Sequence, residues 1–350
     1  MIPLSTTPPD RPHRRRGPRR LLVALAAAGL FAAGCSSSHD GGAESSTNPT
    51  TATATAHPDP VGRFASDNPG SVNMYWIHAP QGLVLVDTLR TVTDARHAIE
   101  QVRGTGRPVV AILLTHSHPD HVGGAGEFHN AFPQAPIYAS VATAKAIRED
   151  PRGFYPLTRT VPNSDFPEQM THPDRTFQPG DNLDIGGLRL ETAEFADGES
   201  DTATVYHDPA SNALYGGDLV GNHVTPALLE GHSCGWLVNL DKLLKRFPTA
   251  RTFHPGHGAP GDSHALIDAQ RGYLQRFRAL VRAAVAPASP GGTAIEIGEQ
   301  QSIIATMDRE YPDHPRVASL PTLTEENIKG VAAEFKAQDQ PTPPPTCQAP

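Results

Sequence analysis

The sequence predicts an α/β fold in which mixed β-sheets are layered between outer helices. The first observation is the unbroken apolar run Val109–Leu114, which is typical of a central strand buried on both faces. The second is a pair of strand-like segments, 202–206 and 213–215, separated by a turn sequence. Such a hairpin argues against a purely parallel sheet. The third is a set of amphipathic helical patterns that alternate with the strands, whose apolar faces must be buried against another layer.

The first 34 residues predict an export signal that is not part of the fold. Residues 1–20 contain six arginines and one acidic residue, and the apolar run Leu21–Gly34 follows them. Fourteen residues are too few to cross a bilayer as a helix, but they suit the core of a signal peptide. The segment from Arg19 to Val23 also resembles a twin-arginine export signal.

The end of this run, Ala32-Ala33-Gly34-Cys35, resembles the lipobox of bacterial lipoproteins. The resemblance implies that Cys35 is lipidated and anchors an exported protein to a membrane of the cell envelope. Cleavage after Gly34 without lipidation, which would give a periplasmic or extracellular protein, is the alternative. The Ser/Thr/Gly/Ala/Pro-rich composition of residues 35–60 predicts a disordered linker.

Removal of residues 1–34 makes the chain strongly acidic. The full sequence has 29 basic and 37 acidic residues, and the leader holds six of the former and one of the latter. The remaining 23 basic and 36 acidic residues give a formal net charge of −13. No basic patch is evident, so we expect a small-molecule substrate and no nucleic-acid partner. The sequence predicts no particular oligomeric state.

The main domain is expected over residues 61–286. Its first strands are predicted at Val72–Ile77 and Leu83–Val86, and a helix at Thr93–Gly104 leads to the central strand. Two later helices are predicted from apolar residues on one face, namely Leu237, Leu240, Leu243, Leu244 and Phe247, then Leu266, Ala269, Tyr273, Phe277 and Leu280. Ser263 is expected to cap the second of these helices.

A helical extension is expected over residues 287–339, because the stretch Pro287–Gly292 interrupts the helical pattern. Its helix is predicted to start at Thr322, with Glu325 as the capping-box partner, and to carry Ile328, Val331 and Phe335 on one face. The proline-rich residues 340–350 predict a disordered tail.

A metal site is predicted directly after the central strand. The segment Thr115-His116-Ser117-His118-Pro119-Asp120-His121 holds four side chains that can bind a metal. Residues two apart in an extended segment point the same way, so His116 and His118 can bind one ion. Because the chain turns after Pro119, Asp120 and His121 can bind a second one.

This segment resembles the HxHxDH signature of the metallo-β-lactamase superfamily. Three further matches follow in the family's order: Asp87 resembles its structural aspartate, Gly217-Asp218 its metal-bridging aspartate, and Pro255-Gly256-His257-Gly258 its last histidine motif. The resemblance covers residues 61–286 and implies a four-layer αββα sandwich with a metallo-hydrolase site.

One position departs from the family pattern. Where the family has a glycine-histidine pair, this chain has Gly198-Glu199-Ser200-Asp201. A carboxylate can bind zinc as an imidazole can, and alkylsulfatase-like relatives use glutamate in this role, so Glu199 is the expected ligand. Asp201, Glu194 and His207 remain alternatives, as does a first site without a ligand from this loop.

The resemblance implies a first site of His116, His118 and Glu199. The second site comprises Asp120, His121 and His257, and Asp218 bridges the two. The expected cofactors are two divalent cations, zinc foremost, with manganese or iron as competitors because the extra carboxylate makes the site harder. A bridging hydroxide, whose parent water has its pKa lowered to about 7, would be the nucleophile. Asp120 and Asp218 are therefore the expected catalytic residues.

The expected reaction is hydrolysis of a carboxylic ester, a lactone, or a sulfate or phosphate ester. The acidic surface argues against a nuclease, and the expected export argues against glutathione-thioester hydrolysis. Antibiotic hydrolysis is not favoured, because the β-lactamases of the family lack a bridging aspartate at the position of Asp218. A mononuclear iron dioxygenase of the same fold and a non-catalytic metal-binding lipoprotein are the alternatives.

The loop from Val220 to Trp236 is expected to border the cleft. His223, His232 and Trp236 are its candidate substrate contacts, although Trp236 could instead anchor the following helix in the core. Cys234 is not expected to bind metal, and its pairing with Cys347 is left open by the sequence. His254 is expected to support the site rather than to bind the metal.

Overall fold

The computed structural model describes residues 61–68, 70–161, 164–285, 295–337 and 344–347. The predicted export signal, Cys35, the linker and the stretch Pro287–Gly292 lie outside the described residues. Among the helices that the structure describes, none combines the length and the apolar character needed to cross a membrane.

Two six-stranded sheets form the centre of the described chain. In the first sheet the strands are adjacent in chain order, and they are β1 (Val61–Ala65), β2 (Asn73–Ala79), β3 (Gly82–Val86), β4 (Val109–Leu113), β5 (Ile137–Ser140) and β6 (Arg175–Phe177). In the second sheet they are adjacent in the same way, and they are β7 (Asn182–Ile185), β8 (Leu188–Glu194), β9 (Thr204–Asp208), β10 (Ala213–Tyr215), β11 (Thr252–His254) and β12 (Gly261–Asp262).

Both sheets are mixed, as the hairpin pattern predicted. Strands β1, β2 and β3 are antiparallel, whereas β3 to β6 are parallel. In the second sheet β10 and β11 are the parallel pair, and the other pairs are antiparallel. The parallel pairs β3–β4 and β10–β11 bring the carboxyl ends of neighbouring strands to the same sheet edge, and the candidate site lies there.

Helices cover the outer face of each sheet. On the first sheet and its loops they are α1 (Val92–Gly104), α2 (Pro119–Val122), α3 (Ala125–Ala131), α4 (Val141–Glu149) and α5 (Phe154–Thr160). On the second they are α6 (Ser233–Arg246), α7 (Ser263–Val285), α8 (Ile297–Glu310) and α9 (Leu323–Ala337). Separate apolar clusters fill the space between the sheets and beneath each helical layer. The four-layer αββα sandwich is therefore confirmed.

Most predicted elements lie within two residues of their expected bounds, but one cap differs. The second predicted helix is α7, and Asp262 rather than Ser263 caps it, because the Asp262 carboxylate accepts a hydrogen bond from Ala265 N–H at 2.9 Å. An aspartate at this position satisfies an otherwise unpaired N–H group of the first helical turn. Helix α9 begins at Leu323, one residue after its predicted start at Thr322.

The C-terminal extension packs on the second helical layer, and its helix α8 was not predicted. Glu334 of α9 accepts hydrogen bonds from the backbone N–H groups of Ser233 and Cys234 at 2.9 Å each, so it caps the start of α6. Its carboxylate also forms a buried ion pair with Arg278 of α7 at 2.9 Å. Three helices are thereby joined through one buried carboxylate.

A disulfide attaches part of the predicted tail to the domain. Cys347 lies in a short 3-10 turn, Pro345–Cys347, and is bonded to Cys234 near the start of α6. Both cysteines are buried. The bond decides the pairing that the sequence left open, and it explains why these three residues have a defined place in a segment expected to be disordered.

Candidate metal centre

The central strand delivers the HxHxDH segment to the edge of the first sheet, where Asp87 holds it. Because β3 and β4 are parallel, Asp87 at the end of β3 lies beside Thr115 at the end of β4. The Asp87 carboxylate accepts hydrogen bonds from Thr115 N–H at 2.8 Å and from the Thr115 hydroxyl. Its Oδ2 atom also lies 2.8 Å from Nδ1 of His121. The predicted structural role of Asp87 therefore matches its position.

Two glycines let the second sheet approach the histidines closely. Gly217 has a φ of +51°, and a Cβ atom there would lie 2.5 Å from Oγ1 of Thr115. A Cβ atom at Gly256 would lie 2.0 Å from Oδ1 of Asp218. Glycine is thus required at both positions, which gives the short motifs Gly217-Asp218 and Gly256-His257 a steric reason.

The structure brings the predicted ligands together as two groups that share Asp218. In each group the ligand atoms lie within 4.8 Å of one another, and the groups are His116, His118, Glu199 and Asp218, and Asp120, His121, Asp218 and His257. Nδ1 of His118 lies 2.9 Å from Oε1 of Glu199. On the other side, Nε2 of His257 lies 3.2 Å from both Asp120 and Asp218. Glu199 thus occupies the place expected for a first-site ligand.

The chemistry of these groups fits two divalent cations. Among the described residues, Nε2 of His116 is buried without a hydrogen-bond partner, and Nε2 of His121 and Oδ1 of Asp218 are buried 3.1 Å apart without the geometry of a hydrogen bond. Unpaired buried polar atoms are costly unless something binds them. Imidazole nitrogens and carboxylate oxygens that converge in this way are suitable zinc ligands.

The electrostatics of the metal-free centre are dominated by burial and by the carboxylates. Burial raises the pKa of Glu199 to about 7, against the opposing effect of His118. Burial alone would lower the pKa of His257, but Asp218 and Asp120 raise it to about 10. Burial would also raise the pKa of Asp218, yet the neighbouring His121 and His257 hold it well below its usual range. The centre therefore stores protons that a bound cation would displace.

The remote nitrogen of each histidine has its own partner, which fixes the ring orientation. His116 Nδ1 lies 3.0 Å from the Thr115 hydroxyl, and His257 Nδ1 lies 2.8 Å from the carbonyl of Gly70. His118 Nε2 lies 2.8 Å from Oε1 of Glu230. Such partners select the tautomer that leaves the other nitrogen free to bind a cation.

The alternative ligands have other partners. Asp201 is paired with Arg152, with N–O distances of 3.0 and 2.6 Å, and Glu194 accepts hydrogen bonds from the hydroxyls of Ser140 and Thr204. His207 lies 3.3 Å from Glu191, and Cys234 is in the disulfide.

His254 stacks on Tyr215 with ring centroids 4.5 Å apart. His254 belongs to neither ligand group, and its supporting role stays a prediction.

The three candidate substrate contacts occupy different environments. The side chain of His223 is 65% exposed and paired with Asp313, while His232 lies 3.9 Å from Asp201. Neither residue lines the cavity beside the centre. Trp236 does line it, but its side chain is buried and its indole N–H donates to the carbonyl of Leu219 at 2.8 Å. Trp236 therefore also anchors α6, as the alternative interpretation expected.

A cavity of about 540 Å³ opens beside the two groups. Asp120, Glu199, Asp218 and His257 reach it from the centre. Much of its remaining wall is apolar, with side chains from α5 and the residue after it, from the loop after β10, and from the start of α9 and the segment before it. These side chains include Phe154, Leu157, Val161, Val224, Leu320 and Leu323. The C-terminal extension thus forms one wall of the candidate site.

Two cationic side chains in the cavity were not predicted. Arg90 lines the cavity, and its Nη1 atom is buried without a hydrogen-bond partner among the described residues. Lys329 of α9 lies at the exposed rim, 2.8 Å from Glu326. Each is an isolated basic residue in the sequence, so no local pattern indicated its place.

Comparisons with known proteins agree with this geometry. The sequence profile described as Metallo-beta-lactamase superfamily matches residues 67–280. A linear primary-alkylsulfatase from Pseudomonas sp. is 42% identical over 231 residues, and the match covers 55% of this chain and 42% of the alkylsulfatase. A type 2 metallo-beta-lactamase from Bacillus cereus is 24% identical over 195 residues, which cover 55% of this chain and 68% of that protein.

Solved structures show the same fold. A metallo-beta-lactamase family protein from Thermus thermophilus superposes with a TM-score of 0.57 at 21% identity, over 79% of this chain and 94% of that one.

Proposed function

Because the chain belongs to the metallo-beta-lactamase superfamily, we propose that it is a metallo-hydrolase with two divalent cations that cleaves an ester-like bond. The observation that carries the proposal is the pair of ligand groups sharing Asp218. His116, His118 and Glu199 would hold the first cation, and Asp120, His121 and His257 the second. Zinc is the cation that this ligand set fits first, and manganese or iron would compete because of the three carboxylates.

When bound, the two cations would supply a hydroxide between them at neutral pH and would polarise the oxygen that gains charge during hydrolysis. The residues of this chain do the positioning. Asp218 holds the two ligand groups together, and Asp87 and Glu230 fix the rings of His121 and His118 through hydrogen bonds of 2.8 Å. A substrate group packed against the apolar wall of the cavity would displace water from that side of the centre.

We place sulfate esters of apolar alcohols first among the substrates. The match to the linear primary-alkylsulfatase supports this class, although it covers less than half of that protein. The cavity supports it independently. Arg90 lines the cavity and its Nη1 atom has no hydrogen-bond partner among the described residues, so its guanidinium suits an anionic oxygen, and the apolar wall suits a hydrocarbon group. Carboxylic esters, lactones and phosphate esters are the other classes.

The completeness of the second ligand group favours the hydrolase over the two alternatives. A mononuclear iron dioxygenase needs a single cation, and a non-catalytic protein has no need for the second group. Asp120, His121 and His257 nevertheless converge with Asp218 within 4.8 Å. We propose in addition that the protein is exported and that Cys35 anchors it to the membrane, on the basis of the sequence before residue 36.

The test is metal content per chain, measured by plasma mass spectrometry on protein without its leader, followed by a hydrolase screen. The expected result is two cations per chain and hydrolysis of a sulfate, phosphate or carboxylic ester or a lactone. One iron per chain with oxygen consumption would favour the dioxygenase. Two cations without hydrolysis of any of these classes would favour the non-catalytic alternative.

A further inference from the structure

Arg152 lies beside the candidate metal centre in a turn that the structure fixes at both ends. The turn joins α4 to α5, and the Asp150 carboxylate accepts hydrogen bonds from the N–H groups of Phe154 and Tyr155 at 2.9 and 3.0 Å. The Tyr155 hydroxyl donates to the carbonyl of Ser117 at 2.8 Å. Since Ser117 stands between His116 and His118, this bond ties the turn to the metal-binding segment.

The guanidinium of Arg152 joins two carboxylates from different loops. Its Nε and Nη2 atoms donate to Asp201 at 3.0 and 2.6 Å, respectively. Its Nη2 atom also lies 3.2 Å from Oε2 of Glu230. A planar guanidinium with several donors can hold two carboxylates in a fixed relation, which a lysine ammonium does less well.

Each of these carboxylates is linked to a different ligand of the first cation, Glu230 by a hydrogen bond and Asp201 through the chain. Oε1 of Glu230 lies 2.8 Å from Nε2 of His118, and Nδ1 of the same ring faces Glu199 at 2.9 Å. Asp201 stands two residues after Glu199 in the same loop. These contacts therefore form a closed chain of residues. It runs from His118 through Glu230, Arg152 and Asp201 to Glu199, and from Glu199 back to His118.

We propose that Arg152 is a positioning residue for the first cation site, where it holds Glu199 and His118 in register by clamping Asp201 and Glu230. The proposal rests on the proposed two-cation centre. No comparable clamp joins the ligands of the second site among the described residues, because His121 and His257 take their partners from Asp87 and from the carbonyl of Gly70. Loss of Arg152 therefore affects one site and spares the other.

The burial of Glu230 and Glu199 makes their electrostatic interaction with Arg152 stronger than that of an ion pair at the surface. The side chain of Glu230 is 3% exposed and that of Glu199 is 2% exposed, whereas those of Arg152 and Asp201 are 34% and 37% exposed. Arg152 thus brings positive charge from the surface to a buried set of carboxylates. Without Arg152, the negative charges of Asp201 and Glu230 would lie near Glu199 with only histidines to balance them.

Titration of the metal-free protein with cobalt(II) tests the proposal, because the absorption spectrum of cobalt reports the ligands and geometry of each site. The variants are Arg152→Gln and Arg152→Lys, and Arg148→Gln is the matched control on the exposed face of α4. Competition with a chelator gives the two affinities. Partners of metal ligands typically change affinity by about 10- to 100-fold, so Arg152→Gln should weaken one site by that factor and leave the other at its wild-type affinity.

Arg152→Lys and one double variant test the closed chain of contacts. Arg152→Lys should recover part of the lost affinity, because it keeps the charge without the two-pronged geometry. The double variant Arg152→Gln/Glu230→Gln should lose less than the sum of the two single losses, since both act through His118. Thermal unfolding of the metal-free variants measures any general loss of stability.

Wild-type spectra and affinities at both sites in Arg152→Gln would overturn the proposal. So would equal weakening of both sites together with a large fall in melting temperature, because that result indicates a structural role. If the wild type itself binds no cobalt, the proposed two-cation centre fails, and the positioning role of Arg152 fails with it.

Discussion

Oδ2 of Asp87 lies 2.8 Å from Nδ1 of His121, and the same carboxylate accepts a hydrogen bond from the backbone N–H of Thr115. One carboxylate at the end of β3 therefore fixes both the start of the metal-binding segment and the ring of its last histidine. This arrangement leaves Nε2 of His121 facing Asp218 at 3.1 Å. Asp87 is not a member of either ligand group, yet the orientation of the second group depends on it.

We expect Asp87→Asn to weaken cation binding at the second site by about 10- to 100-fold, the range typical of partners of metal-binding histidines. An amide keeps the size of the side chain but cannot accept all the hydrogen bonds that the carboxylate accepts now. Cobalt titration with chelator competition measures the change. Asp184→Asn, on an exposed position of β7, is the control, and equal affinities in the two variants would contradict the role of Asp87.

We expect Asp120→Ala and His257→Ala each to lose one cation and hydrolytic activity together. Asp120 and His257 contact each other at 3.2 Å, and both belong to the second ligand group. Either change removes one of the four protein ligands of the second site, which leaves too few to hold the cation tightly. Metal content and turnover on the best substrate of the screen measure the effect, with His172→Ala at an exposed position as the control. Unchanged turnover in either variant would exclude a two-cation mechanism.

The parts of the centre that the sequence predicted are those with a local pattern. His116, His118, Asp120 and His121 follow one buried strand within six residues. Strand alternation pairs His116 with His118, and the turn after Pro119 directs Asp120 and His121 to the second site. The glycines before Asp218 and His257 are fixed by close contacts of the two sheets, so these motifs are short but sterically required.

The parts that were not predicted depend on distant contacts. Glu230 is 112 residues from His118, which it orients, and Arg90 is an isolated basic residue whose role depends on the cavity around it. Helix α8 was missed because its buried residues are few, with Ile303 and Met307 as the buried apolar positions. A weak periodicity of this kind does not distinguish a surface helix from a loop.

We expect Glu199→His to keep zinc binding or to tighten it. Imidazole is as good a zinc ligand as carboxylate, and the change removes one of the negative charges that favour harder cations. Metal content and competition between zinc and manganese measure the effect, and the variant should shift the preference towards zinc. Loss of one cation in this variant, or retention of both in Glu199→Ala, would contradict the assignment of Glu199 as a ligand.

We expect cation binding to release protons and to tighten as the pH rises. Burial raises the pKa of Glu199 to about 7, and Asp218 and Asp120 raise that of His257 to about 10 against the effect of burial. A cation binds the unprotonated forms of both groups. Neighbouring carboxylates also raise the pKa values of His118 and His121 well above the usual range, against the effect of burial. Below pH 7 protons must leave Glu199 and these histidines, and above pH 7 protons must still leave the histidines, so the affinity increases with pH.

Calorimetry in buffers of different ionisation enthalpy counts the protons released on zinc binding. Protons bound to zinc-coordinating groups in the metal-free protein should appear as a net release at pH 6.5 and as a smaller release at pH 8. A zinc affinity that does not change between these two pH values would contradict the expectation.

We expect Cys347→Ser to lower the stability of the domain without changing its metal content. The disulfide joins residues 113 positions apart, and disulfides that close loops of this size typically contribute about 2–4 kcal/mol, mainly by restricting the unfolded chain. For a domain of this size the loss corresponds to a fall in melting temperature of about 4–16 °C. Neither cysteine belongs to a ligand group, so two cations per chain should remain.

Reduction provides the matched measurement, because it breaks the same bond without a substitution. A reducing agent should lower the melting temperature of the wild type to that of Cys347→Ser and should leave the variant unchanged. The bond also fixes the start of α6, where Glu334 accepts hydrogen bonds from Ser233 and Cys234, and Trp236 of the same helix lines the cavity. A variant that keeps its melting temperature but loses turnover would therefore show that the disulfide shapes the cavity rather than stabilising the fold.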